Sequence, residues 1–262
     1  MKDRIIEKRT AKILDILTEK GQIKINLLAD LIDISQVTIR KDLDKLEEKG
    51  IIQRTHGYAG LASENEAGRR MAYYYLIKRR IAKAATKSIN DGETIMIESG
   101  SCCAFFAEEL AFSKKNITVV TNSIFILNHL QKERSIKIIM LGGYYQPDSQ
   151  VMVGPITSKC GDIHLLDKFF LGADGFIPEY GFTGRDHLRA ETAANLAGYA
   201  KNVYILTESA KFNRRSAYSL IQSEKIAGVF TDDNIPKEAE DILTQKNVKI
   251  FKVPSAPVVQ SI

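Results

Sequence analysis

Hydrophobic and polar positions change rhythm once along this chain, near residue 80. Before that point apolar side chains recur at helical spacing. Ile13, Leu14 and Leu17 share one face of a segment from about Glu7 to Lys20, which Gly21 stops. A shorter segment, about Ile25 to Ile32, is expected to turn Leu27, Leu28 and Leu31 inward. Ser35 is a good N-cap for a third helix, in which Ile39, Leu43 and Leu46 form an apolar stripe. Three helices, the last two joined by a tight turn, predict a helix-turn-helix. The stretch IIQRTHG after Gly50 is β-branched and polar, which suits a small hairpin or wing turning at Gly57.

From about residue 80 onward, short apolar runs alternate with helical patterns. TIMI (94–97), ITVV (117–120), IKIIML (136–141), KFFL (168–171), VYIL (203–206), IAGVF (226–230) and VKIF (248–251) read as buried strands. Helical patterns such as AFFAEEL and RAETAANLAGYA lie between most of them. Such alternation predicts α/β units around a mostly parallel, Rossmann-like sheet. Residues 59–70, AGLASENEAGRR, are small and polar, as exposed linkers are. The expected fold class is therefore α/β with a small N-terminal winged helix-turn-helix domain. The expected division is residues 1–58, a linker over 59–76, and a second domain over 77–262. The basic run Arg69, Arg70, Lys78, Arg79, Arg80 and Lys83 reads as a solvated first helix of that second domain.

Composition narrows the class. A chain of 262 residues is comfortable for two domains, and 44% hydrophobic residues can bury a real core. The start of the chain lacks the apolar region of a signal peptide, and no apolar run reaches the roughly 18 residues of a membrane span. Three cysteines, two adjacent, form neither a disulfide framework nor a metal motif, so a reduced, cytoplasmic protein is expected. No cofactor or metal is expected; His164 and His187 stand apart from other ligand-type residues.

A net charge of +5 permits nucleic-acid binding without requiring it. Residues 1–60 carry 12 Lys/Arg against 10 Asp/Glu, which by itself fits an ordinary solvated surface. The third helix is different. Away from its apolar stripe it presents Val37, Thr38, Lys41 and Lys45, with Arg40 at the border, and it holds Glu47 and Glu48 back to the last turn. The first turns of a recognition helix enter the major groove of double-stranded DNA. There Gln36 suits adenine, Arg40 or Lys41 suits guanine, and Thr38 suits a phosphate or a thymine methyl. Ser35 caps this helix, and Arg54 and His56 in the wing are placed for the backbone or the minor groove.

In parallel sheets ligands sit beyond the carboxyl ends of the strands. Four exits here are small and polar: Glu98-Ser99-Gly100-Ser101-Cys102, Thr121-Asn122-Ser123, Gly142-Gly143, and Gly172-Ala173-Asp174-Gly175. Two of them precede helices, whose free N–H groups favour anions. A phosphorylated small molecule fits this chemistry, as does an empty structural rim. Cys102-Cys103 reads either as a reactive pair at a helix start or, with more weight, as small residues packed under a loop.

The stretch ISQVTIRKDLDKLEEKGIIQRTHG strongly resembles the helix-turn-helix of DeoR-type bacterial transcriptional regulators. Ser35, Thr38, Ile39, Arg40, Asp42, Leu43, Leu46, Glu47, Gly50, Arg54, His56 and Gly57 fit the family pattern. Lys41 replaces an arginine and Tyr58 a glycine; lysine keeps the charge and loses the bidentate fork. The resemblance covers nearly the whole chain and implies a C-terminal sensor domain related to ribose-5-phosphate isomerase, with phosphorylated sugars as the usual ligands. On that resemblance the effector residues are Ser99, Gly100, Ser101, Cys102, Thr121, Asn122, Ser123, Gly142, Gly143, Asp174, Gly175, Thr183, Glu191 and Lys211. Cys102 stands where the family has a second threonine, and Ser209-Ala210-Lys211 has one residue more than the family's Ser-Lys motif. The alternative is a phosphosugar isomerase carrying a DNA-binding domain. Against it, Leu171 and Phe182 fall where such an isomerase has a catalytic aspartate and lysine. The expected protein is a repressor of a carbohydrate operon, a dimer or tetramer that a phosphorylated sugar releases from its operator.

Overall fold

The computed structural model describes residues 2–63, 66–113, 116–130, 135–162 and 165–255. They form two compact units, 1–76 and 77–262. His164, weighed as a metal ligand, lies outside the described residues.

The first unit opens with α1 (Lys2–Lys20), which begins earlier than the periodicity predicted and buries Ile13, Leu14 and Leu17. Gly21 ends it in a left-handed conformation and donates its N–H to the Leu17 carbonyl. Strand β1 (Gln22–Lys24) follows, then α2 (Ile25–Ile32) and α3 (Gln36–Glu48). One expectation fails in α2. Leu28, Ala29 and Ile32 are buried, while Leu27 and Leu31 are 50% and 45% exposed. The apolar side of this short helix is broader than the face its neighbours cover, so packing decides which part of it turns inward. In α3, by contrast, Ile39, Leu43 and Leu46 go to the core as predicted. The Ser35 hydroxyl accepts the Thr38 N–H at 3.2 Å, which caps the helix.

The wing is β2 (Ile52–Thr55) paired antiparallel with β3 (Tyr58–Leu61). Its two turn residues, His56 and Gly57, both have positive φ, the geometry that matches the twist of a tight hairpin. Strand β1 adds to β3 and gives a sheet of order β1-β3-β2, a pairing that three residues of sequence did not announce. The stretch expected as a linker carries regular structure on both sides of residues 64 and 65. Residues 59–61 belong to β3, and α4 (Glu66–Ala72) buries Ala67, Met71 and Ala72.

The second unit is entered by α5 (Tyr75–Thr86), which starts at the boundary. It continues through β4 (Thr94–Ile97), α6 (Ser101–Ser113), β5 (Thr118–Thr121), α7 (Ile124–Leu130) and β6 (Lys137–Met140). A hairpin of β7 (Tyr144–Gln146) and β8 (Val151–Val153) leads into α8 (Pro155–Asp162) and β9 (Leu166–Leu171). Next come β10 (Gly175–Ile177), β11 (Gly181–Gly184), α9 (His187–Ala197), β12 (Ala200–Leu206) and β13 (Tyr218–Ile221). The unit ends with β14 (Gly228–Asp232), α10 (Lys237–Gln245) and β15 (Lys249–Val253).

Among the described residues, the main sheet has the order β15-β14-β12-β9-β4-β5-β6, and every pair in it is parallel. All seven predicted strands are in it, but β6 and β15 are mostly exposed or half-buried rather than buried, because each is an edge strand. Phe169, Phe170, Leu171, Ile205 and Val229 are buried along its centre, and β10, β11 and β13 form a small antiparallel sheet of their own. Chain order in the main sheet runs one way from β4 through β5 to β6 and the other way from β9 to β15. The reversal falls between β4 and β9, the kind of switch point beyond which open parallel sheets bind ligands.

Candidate DNA interface and effector site

On the first unit the side chains predicted to meet DNA divide into two groups. Arg40, Lys41 and Lys45 are exposed along α3, and His56 is exposed at the wing turn. The others are committed locally. Ser35 and Thr38 place their hydroxyl oxygens 2.9 Å apart at the cap. Gln36 is half-buried, with its carbonyl oxygen enclosed and unpartnered among the described residues. Arg54 is held by acids of α3: its Nε donates to Glu47 at 2.8 Å and its Nη1 lies 2.7 Å from Asp44. Glu47 also accepts the Arg54 backbone N–H at 2.9 Å. The late acids of α3 therefore have an internal use, bracing the wing, that the charge pattern alone did not reveal. Asp42 is buried beneath the helix and takes Arg9 of α1 in a two-pronged pair.

On the second unit the reversal point brings the β4 and β9 exits together. A Cβ added to Gly100 would lie 3.7 Å from the Gly172 Cα, so the two loops touch through glycine backbones. Ser99 is buried and donates to the Ser149 carbonyl at 3.4 Å; Gly100 and Ser101 are half-buried at the start of α6. Cys102 is buried and directs its thiol at the Glu208 carboxylate, 3.7 Å away. Burial, helped by that carboxylate, pushes the Cys102 thiol far above its ordinary range, and burial does the same to Cys103. These are packed, unreactive thiols, and the reactive-pair reading is set aside.

The Thr121-Asn122-Ser123 exit is occupied mainly in building the fold. Thr121 donates to the Ile97 carbonyl at 2.7 Å, and Ser123 Oγ accepts the Ile126 N–H at the start of α7. Asn122 exchanges hydrogen bonds with Met152 of β8 through its side-chain amide and its carbonyl, which tethers the β7–β8 hairpin. Its Oδ1 is buried and unpartnered among the described residues. Gly142 and Gly143 are exposed where the chain enters the hairpin. Thr157 of α8 donates to the Gly142 carbonyl at 2.9 Å, and a Cβ at Gly143 would fall 1.9 Å from that hydroxyl.

At the β9 exit, Asp174 donates its N–H to the Thr183 carbonyl. The Thr183 hydroxyl is turned inward and accepts the Ser216 N–H at 3.2 Å, while Gly175 is packed against the Arg214 carbonyl. Thr183 and Gly175 thus shape the loop that carries Asp174. Asp174 faces Lys211 at 3.9 Å and Arg185 at 3.7 Å. Lys211 stands on a short 3₁₀ turn, Ser209–Lys211, which Asp232 holds by accepting both the N–H and the hydroxyl of Ser209 at 2.7 Å. Burial lowers the Lys211 pKa, and the carboxylates of Glu208 and Asp174 only partly offset this. Glu191 is exposed on α9.

Three residues at these exits escaped the sequence reading. Lys78, expected on a solvated helix, is 2% exposed and lies 3.9 Å from Glu208. Its neighbours are also engaged: Arg79 pairs with Glu108 and Glu109, and Arg80 donates to the Pro254 carbonyl. Arg189 of α9 donates to Glu98 at 3.0 Å, an ion pair beneath the β4 exit. A signal was present for both cations. Lys78 shares the apolar register of Ile81, Ala82 and Ala85, and Arg189 that of Ala193 and Leu196. The third residue is Glu208, which follows β12 directly. Leu171 and Phe182, by contrast, are buried in the core, and Phe182 packs against Phe176 and Phe212. Among the described residues no cluster of three His, Cys, Asp or Glu side chains is placed to hold a metal, and no helix is long and apolar enough to cross a membrane.

Comparison with known proteins finds two family models along this chain. The DeoR-like helix-turn-helix domain model matches residues 9–65, and the DeoR C terminal sensor domain model matches residues 75–233. The chain is 28% identical over 251 residues to the putative aga operon transcriptional repressor of Escherichia coli O157:H7, covering 94% of this chain and 93% of that one. It is 27% identical over 244 residues to the L-fucose operon activator of Haemophilus influenzae, covering 92% and 97%. Among solved structures, ribose 5-phosphate isomerase A from Methanocaldococcus jannaschii is similar at 19% identity and a TM-score of 0.39, over 52% of this chain and 53% of that one.

Proposed function

Because the chain belongs to the DeoR family of DNA-binding transcriptional regulators, we propose that it is a cytoplasmic repressor of a carbohydrate-metabolism operon, released from its operator by a phosphorylated sugar. Arg40, Lys41 and Lys45 are the exposed cations that meet the DNA, with Gln36, Thr38 and His56 beside them and Ser35 and Arg54 holding helix and wing in shape. The effector's phosphate sits at the β4/β9 reversal, over the Ser99-Gly100-Ser101 entry to α6 and next to Lys211. One observation carries this assignment. Lys211 is largely buried, and among the described residues its nearest carboxylate, that of Asp174 at 3.9 Å, is beyond hydrogen-bond reach. A bound phosphate would supply the hydrogen-bonded anion that this ammonium lacks.

The site binds and does not turn over. A proton-transfer isomerase needs an acid and a cation at positions that Leu171 and Phe182 fill with hydrocarbon. Release follows from a coupling between the two units. Lys78 lies on α5, the helix through which the chain enters the second unit, and it pairs with Glu208 beside Lys211. An anion that rearranges these charges acts on α5 directly. A coupling of about 2 kcal/mol changes operator affinity about thirtyfold.

The test is fluorescence anisotropy on DNA from upstream of the protein's own gene, with sugar phosphates and the corresponding free sugars. One phosphorylated sugar should release the DNA while its free form does not. Tight binding that no sugar phosphate weakens would remove the effector assignment, and isomerase turnover would restore the enzyme reading.

A further inference from the structure

Val37 is the second residue of α3 and is 63% exposed. Along the same face, four and eight residues on, stand Lys41 and Lys45, both exposed. A β-branched apolar side chain there gains nothing from burial and has a lower helix propensity than alanine, lysine or arginine. A lone exposed apolar residue is ordinary on most surfaces. In the first turn of a recognition helix it is placed where side chains reach base edges. In the major groove one base alone offers an apolar partner, thymine, through its C5 methyl. Of the other methyl-bearing residues in that turn, Ile39 is buried in the core, and Thr38 is half-buried with its hydroxyl against Ser35 at 2.9 Å.

We infer that Val37 is a specificity-determining residue, and that each operator half-site carries a thymine whose methyl group packs on it. The inference rests on the DNA-binding reading above and extends it to one base.

The experiment begins by selecting duplexes from a random-sequence pool with the full-length protein. Each thymine of the enriched half-site is then replaced singly by uracil, which lacks only the methyl. One replacement per half-site should weaken wild-type binding about fourfold, the value of one buried methyl-sized group. Val37→Ala should bind the thymine and uracil forms of that position equally, with a thermal midpoint unchanged or raised because the side chain is exposed. The inference is overturned if no uracil weakens the wild type, or if Val37→Ala keeps the full thymine preference. If no duplex is enriched, the DNA-binding reading fails and takes this inference with it.

Discussion

At the scale of single residues, the sensor is governed by charges held out of water. Lys211 shows what that implies for pH. Its pKa is lowered in the folded chain, chiefly by burial. Below the ordinary lysine range the unfolded chain therefore holds more protons than the folded one, and this residue's contribution to stability rises with pH there. A bound phosphate acts in the opposite sense, because it favours the charged ammonium. Effector binding at a pH just below the ordinary lysine range should thus take up protons. Isothermal titration in two buffers of different ionisation enthalpy would show it as a buffer-dependent heat, and Lys211→Met should abolish that dependence. The positions of Asp174 and Lys211 were legible as motif residues. Lys78 was not, because a lysine in a basic run reads as solvated until the apolar register around it is noticed.

Among the elements, the β7–β8 hairpin is one piece that sequence left undescribed, as it did β1 and the small sheet of β10, β11 and β13. The hairpin's strands are three residues each and carry no strong alternation. What fixes it is a set of tethers from other segments: Asn122 on Met152, Ser99 on the Ser149 carbonyl, and Gln146 on Asp186, which itself caps α9. Gly143 sets the entry angle. It has φ of +152°, and a Cβ there would meet Thr157 Oγ1 and, at 3.0 Å, the Val153 carbonyl. Gly143→Ala should therefore cost about 2 kcal/mol or more by strain and overpacking. The check is a urea unfolding curve. Adding Thr157→Ala should recover part of the loss, since it removes the closer of the two obstructions. The helix α2 teaches the same lesson from the other side: its existence was plain, and its buried face was settled by neighbours.

At the scale of the whole molecule, the proposed repressor is expected to act as more than one copy. A single recognition helix contacts few base pairs, so useful operator affinity requires paired half-sites and an oligomer that spans them. A dimer or tetramer is expected in sedimentation. Removing one half-site from the operator should lower affinity on the order of a hundredfold, as the second contact ceases to be intramolecular. Equal affinity for one and two half-sites would count against the oligomeric reading.

What the sequence determined by itself was whatever repeats locally: the capped recognition helix, the wing turn, seven strands, five of them buried along most of the predicted run, and the glycine and hydroxyl residues at their exits. Periodicity and turn chemistry act over a few residues, so a few residues suffice to read them. Only the tertiary structure decided the partners. It placed the chain reversal between β4 and β9, buried Lys78 against Glu208 and Arg189 against Glu98, tied Arg54 to Glu47, and engaged the Thr38 hydroxyl at the cap while leaving Val37 bare. Apart from the cap and the Arg54–Glu47 pair, whose residues are only seven apart, each of these depends on which distant segment lies opposite. That choice comes from packing the core as a whole, and no local spacing encodes it.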